Sequence, residues 1–384
     1  MERIASTPRA DWRQKVESMG LLFHTTPDGT AEGKPYWNEE AFYRFSAREI
    51  DELERATNEL HRICLEAVQH VIDHDLFAKL KIPEAAIEPI KWAWEAEPPS
   101  IYGRFDLAYD GHTQPKLLEY NADTPTSLLE AAVIQWHWLE DLYPKSDQFN
   151  SLWEAFIEYW QWCKDHKFLK SDVVHFAHTE SIEDMMTVTV IRDTCTQLGI
   201  PTKALHMSEI GWDQAKNCFV DLQNRPIKTI FKLYPWEWLL NDQFGKYALD
   251  TYKDMQWIEP IWKMILSNKG ILAILWEMFP GHPNLLPTYF DRSRDLAEYV
   301  KKPLLSREGA NVTVKRKGSL ERTEGEYGEE GFVFQQYVDL PSFNGIRPVL
   351  GCWVIDGVAR GMGIREADNL VTDNFSRFVP HLFD

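Results

Sequence analysis

Cysteine is scarce in this sequence and scattered. The five residues, Cys64, Cys163, Cys195, Cys218 and Cys352, are odd in number and form no C-x-x-C pair. That argues against a disulfide framework or a zinc site on paired thiolates, and it fits a reducing compartment. Long apolar runs are missing as well. The longest, residues 271–276, falls far short of the roughly 20 residues that cross a bilayer. Residues 1–20 lack the apolar stretch of a secretory leader. A cytoplasmic location without a membrane partner is the expectation. Positive charge is in deficit, with 41 Lys and Arg against 59 Asp and Glu and a net charge of −18. Such a chain is a poor general binder of nucleic acid, which needs a basic footprint. Any anionic ligand must find a locally basic pocket. Four familiar motifs are also absent: G-x-x-x-x-G-K-[ST], H-E-x-x-H, G-x-S-x-G and G-x-G-x-x-G. Gly361-Met362-Gly363 lacks the third glycine and the strand-to-helix setting of the last.

What is present belongs to a soluble globular chain of 384 residues, 44% hydrophobic, with 16 Trp to build core or pocket surfaces. The length suggests two to three domain-sized units. Ser46 and Glu49 form a capping-box pair, and Ile50, Leu53, Leu60, Ile63, Cys64 and Val71 follow at helical spacing. They predict a long scaffold helix ending near Asp75. Residues 172–206 read as strand, helix and strand, with Ser181 and Asp184 capping the helix, which makes a βαβ unit. Residues 227–233 read as a strand carrying Lys232, and Asn268-Lys269-Gly270 precedes an amphipathic helix. The last hundred residues are β-rich: strands at 300–305, 312–314 and 332–338, a surface loop over 315–331, and a hairpin around Asp356-Gly357.

One stretch concentrates the chemistry. Residues 102–130 read as a hairpin turning at Asp110-Gly111 and followed by a helix. Alternation puts Arg104 and Asp106 on one face of the first strand, and Glu119 and Asn121 on one face of the second. A loop over 110–115 sets Asp106 opposite Glu119 and Arg104 opposite Asn121. Opposed carboxylates destabilise a sheet, so a cation is expected between them: Arg104 itself, or Mg²⁺, which accepts two carboxylates and an amide oxygen. A solvated face with a structural ion pair reads equally well. Thr124 with Pro125 reads as an N-cap and first helical residue, a helix start whose free N–H groups also suit an anion. Glu183-Asp184 lies at another helix start, where acidic residues favour the dipole or bind a substrate amine. A strand lysine followed by a glycine turn can hold a triphosphate, although a single lysine is more often a solvated charge.

Taken in order, these pieces resemble the synthetase part of the glutathionylspermidine and trypanothione synthetases, a family of ATP-grasp carboxylate–amine ligases. The resemblance rests on R-F-D at 104–106, E-Y-N-A-D at 119–123, K-x-x-x-W-E at 232–237, N-K at 268–269 and K-P at 302–303. The turn at 307–311, Q-Q at 335–336, Arg365 and Leu370 to Thr372 complete it. It implies Arg104 as the residue that stabilises the transferring phosphoryl group, and Asp106, Glu119 and Asn121 as Mg²⁺ ligands. It implies Lys269, Lys302 and Gly309 at the ATP phosphates, with Arg365 on the phosphate side. Phe105, Gln335, Gln336, Tyr337, Val338, Leu370, Val371 and Thr372 belong to the nucleotide segments, and Thr124, Thr126, Glu183 and Asp184 face the substrates.

Two features depart from the family pattern. The long members begin with a cysteine amidase domain, for which this chain has no room. The hydroxyls after E-Y-N-A-D are Thr124 and Thr126 rather than serines, which leaves the acid and the amine open. The expectation is an α/β ATP-grasp fold with an added Rossmann-like βαβ subdomain and N-terminal helices. Its parts are a helical region with the metal hairpin (1–165), the βαβ subdomain (166–230) and the nucleotide-binding region (231–384). The expected activity joins a small carboxylic acid to an amine through an acyl phosphate, with ATP and Mg²⁺. A nucleotide-binding protein with uncoupled ATPase activity and a metal-dependent hydrolase are the alternatives.

Overall fold

The long helix forms where its cap and periodicity put it. In the computed structural model, which describes residues 1–26, 33–373 and 376–384, it runs Ala47–Asp73. The Ser46–Glu49 capping box is complete, and the apolar stripe from Ile50 to Val71 is buried. The helix packs against the strands Arg347–Ile355 and Val358–Ala367.

Those two strands form the hairpin around Asp356-Gly357, and they pair with the hairpin Tyr102–Ala108 and Lys116–Asn121. With Arg377–Val379 they make a five-stranded antiparallel sheet. Period-two alternation gives the sheet two different faces. Phe105, Leu107, Leu117 and Tyr120 are buried in the main core with the long helix. Arg104, Asp106, Glu119 and Asn121 line a cleft on the other face.

A second sheet is wholly parallel, in the order Gln256–Ile258, Thr229–Leu233, Val174–His178, Thr202–His206. Helix Ile182–Gln197 leads from Val174–His178 to the outer strand on one side. The chain after Thr229–Leu233 returns on the other side through helix Trp236–Asn241. The two central strands are therefore a topological switch point, where a crevice opens beyond their carboxyl ends. A third, antiparallel sheet orders Thr288–Phe290, Phe332–Gln336, Tyr299–Pro303, Thr313–Arg316, Ser319–Arg322. Its last two strands form a hairpin within the stretch expected to be loop. The tight turn there has Lys317 and Gly318 both at positive φ, a local pairing that the polar composition hides. Two sheets span the subdomain boundaries expected from the sequence: one joins 102–121 to 347–379, and the parallel sheet runs from 174 to 258.

The architecture is mixed α/β. All five cysteines are free, four of them buried. No helix among the described residues is long and apolar enough to cross a membrane.

Candidate active site

The hairpin pairs in the expected register, Asp106 opposite Glu119 and Arg104 opposite Asn121, with a bulge just beyond Asp106. Arg104 Nε donates to Asp106 Oδ1 at 2.6 Å, and Nη2 donates to Oδ2 at 3.0 Å. Its Nη1 donates to the Thr126 carbonyl at 2.7 Å. The guanidinium lies 5.6 Å from the ring centroid of Trp353. Gly351 stands across from Asp106 on the neighbouring strand, where a Cβ would come within 2.8 Å of Arg104 Cδ. A glycine there lets the arginine lie flat along the sheet.

The Asn121 amide bridges the two carboxylates, with Nδ2 3.2 Å from Asp106 Oδ2 and 3.3 Å from Glu119 Oε1. Lys269 Nζ lies 3.1 Å from Glu119 Oε2. Burial opposes charge on Glu119, but Lys269 and Lys302 overcome it and hold the carboxyl at about 2. Burial pushes Asp106 up in spite of Arg104, and Glu119 adds to the rise. Lysines thus surround one carboxylate, and Arg104 pairs with the other. Among the described residues no group of three or more His, Cys, Asp or Glu could hold a metal. The hairpin offers two carboxylates and an amide.

Two cavities meet at Asp106 and Glu119, and Gly309, Val349 and Thr372 also line both. On one side, about 130 Å³ is lined by Lys269, Lys302, Gly309, Gln335, Gln336, Tyr337, Val338, Leu370, Val371 and Thr372. Lys302 Nζ donates to Gln335 Oε1 (2.7 Å) and to the Leu118 carbonyl (2.8 Å), and burial lowers it to about 8. Gly309 takes φ +69, and a Cβ on it would lie 2.7 Å from the Thr372 carbonyl. Only glycine brings this turn against 370–372.

On the other side, a cleft of about 300 Å³ is lined by Arg104, Asn121, Thr124, Thr126, Glu183, Asp184 and Arg365. Leu233, Pro235, Thr179 and Ser181 also line it, so it is the crevice at the switch point of the parallel sheet. Glu183 accepts from Thr126 Oγ1 at 2.7 Å. Ser181 caps its helix by accepting from the Asp184 amide, but the reciprocal half of the cap is missing. Asp184 accepts from the Thr179 hydroxyl instead. Burial pushes Asp184 up to about 6, with Glu183's charge adding to the rise.

Three site residues differ from expectation: Phe105, Thr124 and Arg365, the last expected on the phosphate side but lining the cleft and not the lysine-bearing cavity. Phe105 lines neither cavity: it is fully buried and stacks on Tyr120 at 3.8 Å. Alternation along its strand turns it away from Arg104 and Asp106. Thr124 caps no helix. Residues 124–127 are irregular, Ser127 takes φ +65, and helical structure begins at Leu128. The Thr124 hydroxyl accepts from Arg307 Nη1 at 2.7 Å. Long-range contacts to the Pro125 and Thr126 carbonyls, from Tyr102 and Arg104, hold this loop extended.

Arg307 is a cleft residue that the sequence reading passed over, although it noted the turn that carries it. It also donates to Glu237 Oε1 at 2.7 Å. The W-E pair at Trp236-Glu237 was the available signal. Arg365 lines the same cleft and bonds the Asp373 carbonyl through Nη2, while its buried Nε has no partner.

The sequence profile of the family described as glutathionylspermidine synthase preATP-grasp matches residues 3–384. The chain belongs to this family. It is 40% identical over 398 residues to a candidate acid–amine ligase of Haemophilus influenzae, covering 100% of each. It is 28% identical over 367 residues to the bifunctional glutathionylspermidine synthetase/amidase of Escherichia coli, covering 88% of this chain and 58% of that one. The fold is shared with a glutathione synthetase-like effector of Globodera pallida, solved in its apo form. That match has a TM-score of 0.57 at 11% identity and covers 99% of this chain and 98% of the other. The family joins acids to amines, and this chain is a ligase that forms carbon–nitrogen bonds.

Proposed function

We propose that the chain uses ATP and Mg²⁺ to phosphorylate a small carboxylic acid and then passes the acyl group to an amine, releasing ADP and phosphate. The observation that carries this reading is the shared wall. Asp106 and Glu119 line both the lysine-bearing cavity and the cleft with the acidic pair. A triphosphate held by Lys269, Lys302 and the Gly309 turn would present its terminal phosphate at that wall, and an acid in the cleft would meet it there. Two carboxylates and an amide suit Mg²⁺, which takes oxygen ligands and keeps several waters. The ion would supply neutralising charge to the phosphates. Arg104 and Arg365 lie on the acid side, where negative charge develops on transfer. Glu183 and Asp184 are the pair for a cationic amine. Glutathione and spermidine, which together name the product of the Escherichia coli relative, are the first acid and amine to test. Phosphate release that depends on both is the direct assay. Release without either, in every pairing tried, overturns the reading.

Asp106→Ala and Glu119→Ala are each expected to abolish Mg²⁺-dependent ATP turnover, because each removes one of the two carboxylates. Wild-type rates in either variant would remove the metal assignment. The Lys302 ammonium gives a pH prediction. It is charged below about 8 and neutral above. Nucleotide affinity is therefore expected to fall as pH rises through about 8, and calorimetric titration of ATP across that range measures it. Lys302→Ala should flatten the dependence and weaken binding about ten- to a hundredfold. A profile that keeps its slope in the variant would assign it to another group.

A further inference from the structure

Beneath the cleft lies a carboxylic acid to which the reading above gives no role. Glu130 is 1% exposed, and it opens a π-helical turn, Glu130–Ile134, two residues after helical structure begins at Leu128. Such turns break regular helical bonding and recur at functional sites. Tyr36 Oη donates to Glu130 Oε1 at 2.9 Å and lies 3.1 Å from Ser127 Oγ. Tyr36 is 2% exposed and Ser127 3%. Ser127 lines the cleft and holds the left-handed φ of +65, a conformation that costs a non-glycine residue energy and clusters at functional sites.

The direction of the chain follows from its ends. An ionised carboxylate can only accept, so the single phenolic hydrogen of Tyr36 goes to Glu130. The second bond must then use the Ser127 hydrogen, with Tyr36 accepting. That leaves the lone pairs of Ser127 Oγ for the cleft. All three groups are aligned to carry a proton inward.

We propose that Ser127, Tyr36 and Glu130 form a relay that takes the proton from the attacking amine and stores it on Glu130. This rests on the ligase reading above. An ammonium has no lone pair with which to attack an acyl phosphate, and Glu183 and Asp184 stabilise that cationic form. In the relay the amine N–H bond breaks and its hydrogen passes to Ser127 Oγ. The Ser127 hydrogen passes to Tyr36 Oη, and the Tyr36 hydrogen to Glu130 Oε1. One N–H bond is lost and one carboxyl O–H bond is formed. The freed electron pair of the neutral amine becomes the bond to the acyl carbon, phosphate leaves with its own pair, and the second proton of the nitrogen goes to the departing phosphate oxygen.

The charged and titratable groups facing Glu130 agree with a proton store. They are Tyr36, Glu183 of helix Ile182–Gln197 and Arg365 of strand Val358–Ala367. Burial pushes Glu130 up to about 7, Glu183 adds to the rise, and Tyr36 and Arg365 oppose it. The same burial lifts Tyr36 far above its usual range. No tyrosinate forms on the way, and the hydrogens move together.

The test compares two amines with glutathione as the acid and ATP-dependent phosphate release as the readout. Spermidine arrives protonated at neutral pH, whereas hydroxylamine is already mostly neutral there. Glu130→Gln keeps the size of the side chain and the bond from Tyr36, and Tyr36→Phe cuts the relay in the middle. Both variants are expected to lower kcat with spermidine by about 10²-fold, the size of a lost general base. Both should also lose the rise in rate through neutral pH, yet turn over hydroxylamine within about twofold of wild type. Equal losses with the two amines would show a structural role and overturn the relay. So would a neutral-pH limb that survives Glu130→Gln. A wild-type enzyme that releases no phosphate with either amine, whichever acid is paired with it, fails the ligase reading and the relay with it. A wild-type enzyme that is active, with variants that match it, fails the relay alone.

Discussion

Arg104→Ala is expected to lower turnover by about 10²–10³ while changing ATP affinity much less. In the structure every side of this guanidinium is engaged: Nε and Nη2 on Asp106, and Nη1 on the Thr126 carbonyl. It is held at the shared wall with little freedom to move, which keeps the cost of reorganisation low. On the proposed reading Lys269 and Lys302, which line the cavity across the wall, would already neutralise the phosphates in the ground state. Arg104 therefore adds little to ground-state binding and meets charge only as the phosphoryl group crosses. An interaction stronger in the transition state than in the ground state acts on turnover rather than affinity. Arg104→Lys should restore only part of the rate, because an ammonium cannot make the planar two-point contact. The competing account makes Arg104 a counter-ion for Asp106 and nothing more. On that account the alanine variant melts earlier, because Asp106 stays buried without its partner, and turnover per folded molecule holds. Turnover at saturating ATP and Mg²⁺, measured beside the melting temperature, separates the two. Near-normal turnover in a destabilised variant would falsify the catalytic role.

Lys232→Met is expected to be the most destabilising of the changes considered, by about 3–5 kcal/mol, the usual cost of leaving one partner of a buried ion pair alone. Lys232 and Asp123 both have fully buried side chains, with Nζ 2.9 Å from Oδ1. The ammonium also donates to the Tyr234 carbonyl at 2.8 Å and lies 4.6 Å from the Trp236 ring centroid. Asp123 Oδ2 accepts from the Trp236 amide at 2.9 Å. One carboxylate thus ties the end of the hairpin Tyr102–Asn121 to the start of the helix that carries Glu237. Methionine fills most of the lysine's volume, so the loss measures the stranded charge rather than a cavity. Adding Asp123→Asn removes that charge, keeps an acceptor for Trp236, and should recover part of the loss. The midpoint of chemical denaturation reads both. A single-variant loss under about 1 kcal/mol, or a double variant no better than the single, would show that the pair is not what holds this junction.

Several parts of this protein were legible in the sequence because their causes are local. The capping box and the three-and-four spacing account for the helix Ala47–Asp73. A loop over 110–115 together with period-two alternation gives the register that opposes Asp106 to Glu119. Phe105 was legible too: the same alternation turns it into the core, and only its place inside R-F-D argued otherwise. Thr124 shows where local signals stop. A hydroxyl followed by proline is a sound helix start, but Arg307, 183 residues away, takes the hydroxyl, and Ser127 at positive φ delays the helix. The strand that pairs with the hairpin Tyr102–Asn121 was not legible, because Arg347–Ile355 is one apolar strand among several, and burial against the long helix selects it. The meeting of two cavities at Asp106 and Glu119 came only with that sheet. So did Tyr36, which rises from a segment without clear periodicity to stand between Ser127 and Glu130. Periodicity and capping act over a few residues and are written in the order of the chain. Which strand lies beside which, and which buried carboxyl meets which hydroxyl, depends on the joint burial of surfaces hundreds of residues apart.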